Sequence, residues 1–208
     1  MKNILLIGGS TGIGYELSQK LKGDNNVFIA TRNQEKFSDT NIKTNELNLD
    51  QEFETDWLPD HIDGFVYLPG TINLRPFKGL KPSVFLEDFN INVIGCIKIL
   101  QKVLPKIQKA KNPSIVMFST VAVKIGMPFH SSVSSSKGAI EGLTRSLAAE
   151  FAPKIRVNSI APSILETPMS KKFLNSETKL DNAKNRHPLK EIGSPKDISE
   201  IVKFLLED

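Results

Sequence analysis

Six short apolar or β-branched runs punctuate the chain: Ile4 to Ile7, Val27 to Ala30, Lys43 to Leu47, Gly64 to Leu68, Ile115 to Ser119 and Ile155 to Ile160. Between them, apolar positions fall at helical spacing. Ile13, Leu17 and Leu21 share a face after the first run, and Ile140, Leu143, Leu147 and Phe151 share one before the sixth. Val93, Ile97, Leu100, Leu104 and Ile107 form another face, opposite a stripe of Lys98, Lys102, Lys106 and Lys109. Pro105 is expected to end or kink that helix, because it lacks the amide hydrogen and crowds the preceding turn. This alternation predicts βαβ units and a parallel sheet buried on both faces. Ser170 to Arg186 is polar with few apolar anchors, which suits either a mobile lid or a solvated helix. A last amphipathic helix carries Ile198, Ile201, Val202 and Leu205. No internal repeat or low-complexity segment interrupts the pattern.

Composition narrows the reading. With 208 residues, 39% hydrophobic and 24% charged, the chain suits one domain spanning 1–208 with one sizeable core. A net charge of +4 is modest, and the lysine stripe reads most simply as a solvated helix face, so no nucleic-acid partner is expected. Cys96 is the only cysteine, which excludes an intrachain disulfide and a multi-cysteine metal site; no metal is expected. The apolar stretch at the start, Ile4 to Ile7, is too short for a signal peptide or a membrane span. A cytoplasmic protein without a membrane partner is the expectation.

Gly8-Gly9-Ser10-Thr11-Gly12-Ile13-Gly14 directly follows the first predicted strand, and Gly14 is expected to open a helix. Glycines allow a sharp turn and a close backbone approach to a pyrophosphate, while the helix N-terminus favours its charge. A strand-to-helix turn without a ligand would have the same glycines, so the loop alone does not decide the matter. Its Gly-x-x-x-Gly-x-Gly spacing resembles the short-chain dehydrogenase/reductase family. Asn92-Val93-Ile94-Gly95 is similar to that family's Asn-x-x-Gly segment, and Ser136-Lys137-Gly138 to the end of its Tyr-x-x-x-Lys motif. Pro162-Ser163-Ile164-Leu165-Glu166-Thr167 resembles its Pro-Gly-x-x-x-Thr loop. The resemblance runs from Lys2 to Asp208 and is greatest to the 3-oxoacyl-acyl-carrier-protein reductase type. It implies a doubly wound α/β Rossmann-type sheet, order 3-2-1-4-5-6, with helices on both faces. The family's final strand is missing after Asp208, which suggests a shortened chain or an edge covered by a partner.

The resemblance also implies a nicotinamide dinucleotide held by Gly8, Ser10, Thr11, Gly12, Ile13, Gly14, Gly70, Lys137 and Thr167, with Asn48 and Leu49 at the adenine. Cofactor choice is read at the end of the second strand, Ala30-Thr31-Arg32. An acidic residue there would hold the ribose hydroxyl of NAD and repel a 2′-phosphate. Thr31 occupies that position, and Arg32 offers a planar fork of donors suited to a phosphate, although surface arginines are common in such loops. The expectation is NADP(H).

The family's catalytic pattern is broken. Its tyrosine exchanges a proton with the substrate oxygen, a serine hydrogen-bonds that oxygen, and a lysine four residues after the tyrosine tunes it and holds the nicotinamide ribose. Four residues before Lys137 stands Val133, and Thr120 precedes Val133 by the family's interval of 13, so both flanks give one register. Valine cannot move a proton. Thr120 can still orient an oxygen, Lys137 can hold the ribose and Asn92 can support a water relay. His130, three residues before Val133, is the replacement proton donor to weigh, against a plain capping or surface role. The leading expectation is an NADP(H)-dependent oxidoreductase acting on a small carbonyl/alcohol pair, forming a homodimer or homotetramer. The alternative is a catalytically impaired NADP-binding module or structural partner subunit.

Overall fold

In the computed structural model, residues 1–38 and 40–207 are described. Six strands form one parallel sheet: β1 (Asn3–Ile7), β2 (Asn26–Thr31), β3 (Lys43–Glu46), β4 (Gly64–Tyr67), β5 (Ser114–Phe118) and β6 (Arg156–Ile160). Their order is β3-β2-β1-β4-β5-β6, as expected, and each lies within about a residue of its apolar run. β1 pairs with β2 on one side (Ile7 opposite Ala30) and with β4 on the other (Ile7 opposite Tyr67). The order reverses here, so the crossovers leave in opposite directions and open a crevice at the carboxyl ends of the strands.

Alternate strand residues point to opposite faces, and helices cover both. Leu5, Ile7, Phe28, Phe65, Ile115 and Met117 face α3 (Gly95–Ile107) and α5 (Ser131–Phe151), in one cluster with Cys96, Leu100, Val103 and Ile140. Ile4, Leu6, Ile29, Val66 and Val116 face α1 (Gly12–Leu21) and α7 (Pro195–Glu207) through Leu17, Leu21, Val202 and Leu206. A strand flanked this way has no solvent side, hence the near-continuous apolar runs.

Three helical expectations are corrected. α3 continues to Ile107, two residues past Pro105, so the proline sits within its final turn rather than ending it. In α7, Ile201 is 46% exposed while Leu206 is fully buried, because the helix turns the face of Val202 and Leu206 inward. α1 begins at Gly12, not Gly14. The polar stretch from Ser170 forms a short 3-10 turn, Lys171–Phe173, and then α6 (Glu177–Asn185), whose buried residue is Ala183. Two further helices complete the set, α2 (Pro82–Phe89) and the short α4 (Ala122–Ile125). A π-helical turn, Asn90–Ile94, joins α2 to α3.

Candidate active site

The loop after β1 is built by its glycines. Gly8 and Gly12 hold φ of 73° and 55°, in the left-handed region that side chains disfavour. A Cβ on Gly14 would sit 2.5 Å from the Gly9 Cα, so the first turn of α1 lies directly on the strand-to-helix bend. The Gly8 amide donates to the Ala30 carbonyl at 2.8 Å, tying the loop to the end of β2. There Thr31 is buried and Arg32 exposed. Lys36, which the sequence reading passed over, donates to the Ser10 carbonyl at 2.8 Å and so brings a second cation against the loop.

This loop forms one wall of a cleft of about 1870 Å³ across the carboxyl ends of the strands. The cleft brings together Gly8, Ser10, Thr11, Gly12, Ile13, Gly14, Arg32, Asn48, Leu49, Gly70, Thr120, His130, Val133, Lys137 and Thr167. Of the candidate residues only Asn92 stays outside its lining, being wholly buried behind Gly70. A volume above the several hundred Å³ of common ligand pockets leaves room for a dinucleotide together with a substrate.

Val133 and Lys137 share the inner face of α5, the valine 6% and the lysine 9% exposed. Burial lowers the Lys137 ammonium from 10.5 to about 8, partly offset by the nearby Asp88 carboxylate. Cys96 also lies close, but burial pushes its thiol up to about 12, so at neutral pH it is uncharged and offers the ammonium no counter-charge. Among the described residues the Lys137 Nζ has no hydrogen-bond partner, and a Cβ on Gly70 would lie 3.5 Å from it. A charged donor at a cleft wall without a protein acceptor suits a hydroxyl-rich ligand such as a ribose. The unpartnered Asn92 Oδ1, 3.2 Å from the same Gly70 position, borders that gap too. The glycine cradle and this paired donor and acceptor fit a nicotinamide dinucleotide.

Thr120 follows β5, with its Oγ1 accepting a 3.4 Å contact from the Ala122 amide and its hydroxyl hydrogen free to turn to the cleft. His130 stands at the N-terminus of α5 without capping it by its side chain. Its Nδ1 meets the Pro128 carbonyl at 2.7 Å, so Nδ1 carries the hydrogen in the neutral ring, and the residue lines the cleft. Two features escaped the sequence reading. Ser163 stands where the similar loop has glycine, and its hydroxyl meets the His187 Nε2 at 2.7 Å. The fully buried Asp88 accepts from Thr71, Asn73 and Ser132. The Ser163 substitution was a visible signal, whereas Asp88 carried none because its partners are 15 to 44 residues away.

The mouth of the cleft is apolar: Leu86, Ile125, Phe129 and Met169 line it and are 64%, 71%, 55% and 47% exposed. Among the described residues no group of three or more His, Cys, Asp or Glu side chains is placed to hold a metal ion, and no helix is long and apolar enough to cross a membrane.

Comparison with known proteins adds to this geometry. A family model described as enoyl-(acyl carrier protein) reductase matches residues 39–208. The 3-oxoacyl-[acyl-carrier-protein] reductase of Thermotoga maritima is 36% identical over 120 residues, which is 57% of this chain and 48% of that protein. The human mitochondrial dehydrogenase/reductase SDR family member 2 is 28% identical over 220 residues, 97% of this chain and 78% of that protein. The chain thus spans about half the length of the first relative and over three-quarters of the second. Among solved structures, ElxO with NADP bound superposes with a TM-score of 0.89 at 27% identity, covering 100% of this chain and 92% of that one. A 3-ketoacyl-(acyl-carrier-protein) reductase from Brucella melitensis, complexed with NADH, shares the fold with a TM-score of 0.86 at 21% identity, covering 99% and 90%.

Proposed function

Since the chain belongs to the short-chain dehydrogenase/reductase family, whose members bind nicotinamide cofactors, we propose that it is an NADP(H)-dependent oxidoreductase acting on a carbonyl/alcohol pair. The observation that carries this reading is the single cleft bordered at once by the Gly8–Gly14 loop, Arg32, Thr120 and Lys137. Arg32 and Lys36, with no acid at Thr31, favour a 2′-phosphate over a bare ribose hydroxyl. The apolar mouth favours a substrate with an apolar body beside its carbonyl.

When bound, the nicotinamide supplies or accepts a hydride at the substrate carbon. In this reading Gly8, Ser10, Thr11, Gly12, Ile13 and Gly14 hold the pyrophosphate, Asn48 and Leu49 flank the adenine, and Gly70, Thr167 and the Lys137 ammonium hold the nicotinamide end. The Thr120 hydroxyl orients the substrate oxygen. His130 or a water exchanges the proton that Val133 cannot, and Asn92 supports a water near Lys137. The reading includes a homodimer or homotetramer formed through Asn92 to Ile107 and Val133 to Phe151.

A second reading, a cofactor-binding module without turnover, is favoured by one observation: Val133 stands where the family has its proton donor. Titrating the protein with NADPH and with NADH by fluorescence, then screening ketones and alcohols for absorbance change at the nicotinamide band, separates the two. Turnover lost in His130→Ala supports the enzyme with His130 as proton donor. Saturable NADPH binding without turnover on any substrate, and activity gained in Val133→Tyr, establishes the binding module.

A further inference from the structure

Asn92 is completely buried, and its amide is fully engaged on one edge only. Its Nδ2 donates to the Thr71 Oγ1 at 3.0 Å and to the Ser136 Oγ at 3.1 Å, while Oδ1 meets no donor among the described residues. The two ends of a carboxamide are nearly identical in shape, so its orientation is decided by what its partners can give or take.

Both partners can only take. A hydroxyl has one hydrogen. Ser136 spends its own on the Val133 carbonyl, one turn back along α5, at 3.0 Å. Thr71 spends its own on the Asp88 Oδ1 at 2.5 Å. The Asp88 oxygens accept from Thr71, Asn73 and Ser132, so the single Thr71 hydrogen is committed there and none is left to donate to Asn92. With two pure acceptors on one edge, the NH₂ must face them, and the oxygen must face the other way. That way lies the gap beside Gly70, where Oδ1 and the Lys137 Nζ lie 3.2 Å and 3.5 Å from the same point.

Asp88 itself is held firmly. It is fully buried near the end of α2 and also accepts from Asn73 Nδ2 at 2.7 Å and Ser132 Oγ at 2.5 Å. Thr71 and Asn73 come from the loop after β4, and Ser132 from the first turn of α5. The carboxylate thus collects donors from the two segments that frame the Lys137 end of the cleft. It does not line the cleft, so direct contact with a ligand does not explain its burial.

We propose that Asp88 is a positioning residue: acting through the Thr71 hydroxyl, it locks the Asn92 amide with its oxygen turned to the Lys137 end of the cofactor site. The lock supplies a fixed acceptor beside an ammonium that, among the described residues, has no hydrogen-bond partner. The ligand there is the ribose end of a nicotinamide dinucleotide. This assignment rests on the reading of the cleft as an NADP(H) site, and the test keeps the two apart.

The lock predicts a graded series in the full-length chain. Asp88→Asn keeps an Oδ1 acceptor for Thr71 and retains the lock, whereas Asp88→Ala releases the Thr71 hydrogen and loses it. Thr71→Ser retains it and Thr71→Val loses it, which keeps the idea falsifiable if Asp88→Ala fails to fold. The first readout needs no cofactor: in protein labelled with ¹⁵N-asparagine, the Asn92 side-chain NH₂ pair exchanges with solvent at least about tenfold faster in Asp88→Ala and Thr71→Val than in the other proteins. The second is NADPH affinity by fluorescence titration, weaker by roughly tenfold in the same two variants, the upper end of the loss for one hydrogen bond to a ribose hydroxyl. Unchanged exchange in both losing variants, or faster exchange in Asp88→Asn or Thr71→Ser as well, overturns the lock. Faster exchange with unchanged NADPH affinity overturns its role toward the cofactor. Absence of NADPH binding by the unaltered protein overturns the cofactor reading and that role with it, while the exchange series still decides whether Asp88 holds the amide.

Discussion

Replacing Lys137 by methionine is expected to stabilise the protein while removing its grip on the cofactor. The side chain is 9% exposed, and among the described residues its ammonium lacks a hydrogen bond, so the fold bears a charge with little of the water it would hold in an unfolded chain. Burial lowers the group from 10.5 to about 8, and this difference corresponds to about 3 kcal/mol of strain against folding. The sign follows from the protons bound. Below pH 8 the lysine is charged in both folded and unfolded chains, and the full cost is present. Between about 8 and 10.5 the folded chain loses its proton first, so wild-type stability rises with pH and the cost fades. Methionine keeps the apolar stem and omits the charge. At pH 7 Lys137→Met should therefore unfold roughly 6–12 °C higher, at about 2–4 °C per kcal/mol for a chain of this size. Thermal denaturation followed by circular dichroism from pH 6.5 to 10.5 measures both proteins, and the gap should narrow steadily above pH 8. An equal or lower midpoint at pH 7, or parallel curves across the range, would show that the buried ammonium does not destabilise the fold.

Other consequences are direct. Arg32→Ala should weaken NADPH binding about tenfold or more and leave NADH nearly unchanged, since only the 2′-phosphate loses its charge-assisted bonds; paired titrations read this. Gly14→Ala places a Cβ 2.5 Å from the Gly9 Cα, which backbone cannot yield cheaply, so denaturant unfolding should show a loss of about 1–3 kcal/mol and NADPH titration a loss of binding. If the doubly protonated His130 ring donates the Nε2 proton, His130→Ala should lower turnover about 100-fold at unchanged NADPH affinity, the modest end of general-acid effects. Val133→Tyr restores a phenol four residues before Lys137 and should raise turnover by a similar factor, measured on the same substrate.

The strands were legible because a parallel strand covered on both faces must be apolar almost throughout, and the runs from Ile4, Val27, Gly64 and Ile115 have no other soluble use. The order of the sheet followed from the family resemblance. Helix edges were less legible: Pro105 sits in the final turn of α3, where the chain was about to leave the helix anyway, and Ile201 shares a helical period with Val202 that leaves the inward face ambiguous until the sheet is in place. The cofactor loop could be read because its glycines answer to local geometry. The Asp88 cluster could not, because a buried carboxylate is explained only by donors brought from Thr71, Asn73 and Ser132, and nothing in local sequence marks them. The same holds for the contact between Ser163 and His187, 24 residues apart.

We propose that the Gly8–Gly14 loop and Arg32 form a dinucleotide site selective for the 2′-phosphate. Isothermal titration of the purified protein with NADPH and, separately, with NADH tests it most directly. Saturable binding of one NADPH per chain is expected, at least about tenfold tighter than NADH. Binding of neither nucleotide, or a preference for NADH, would contradict it.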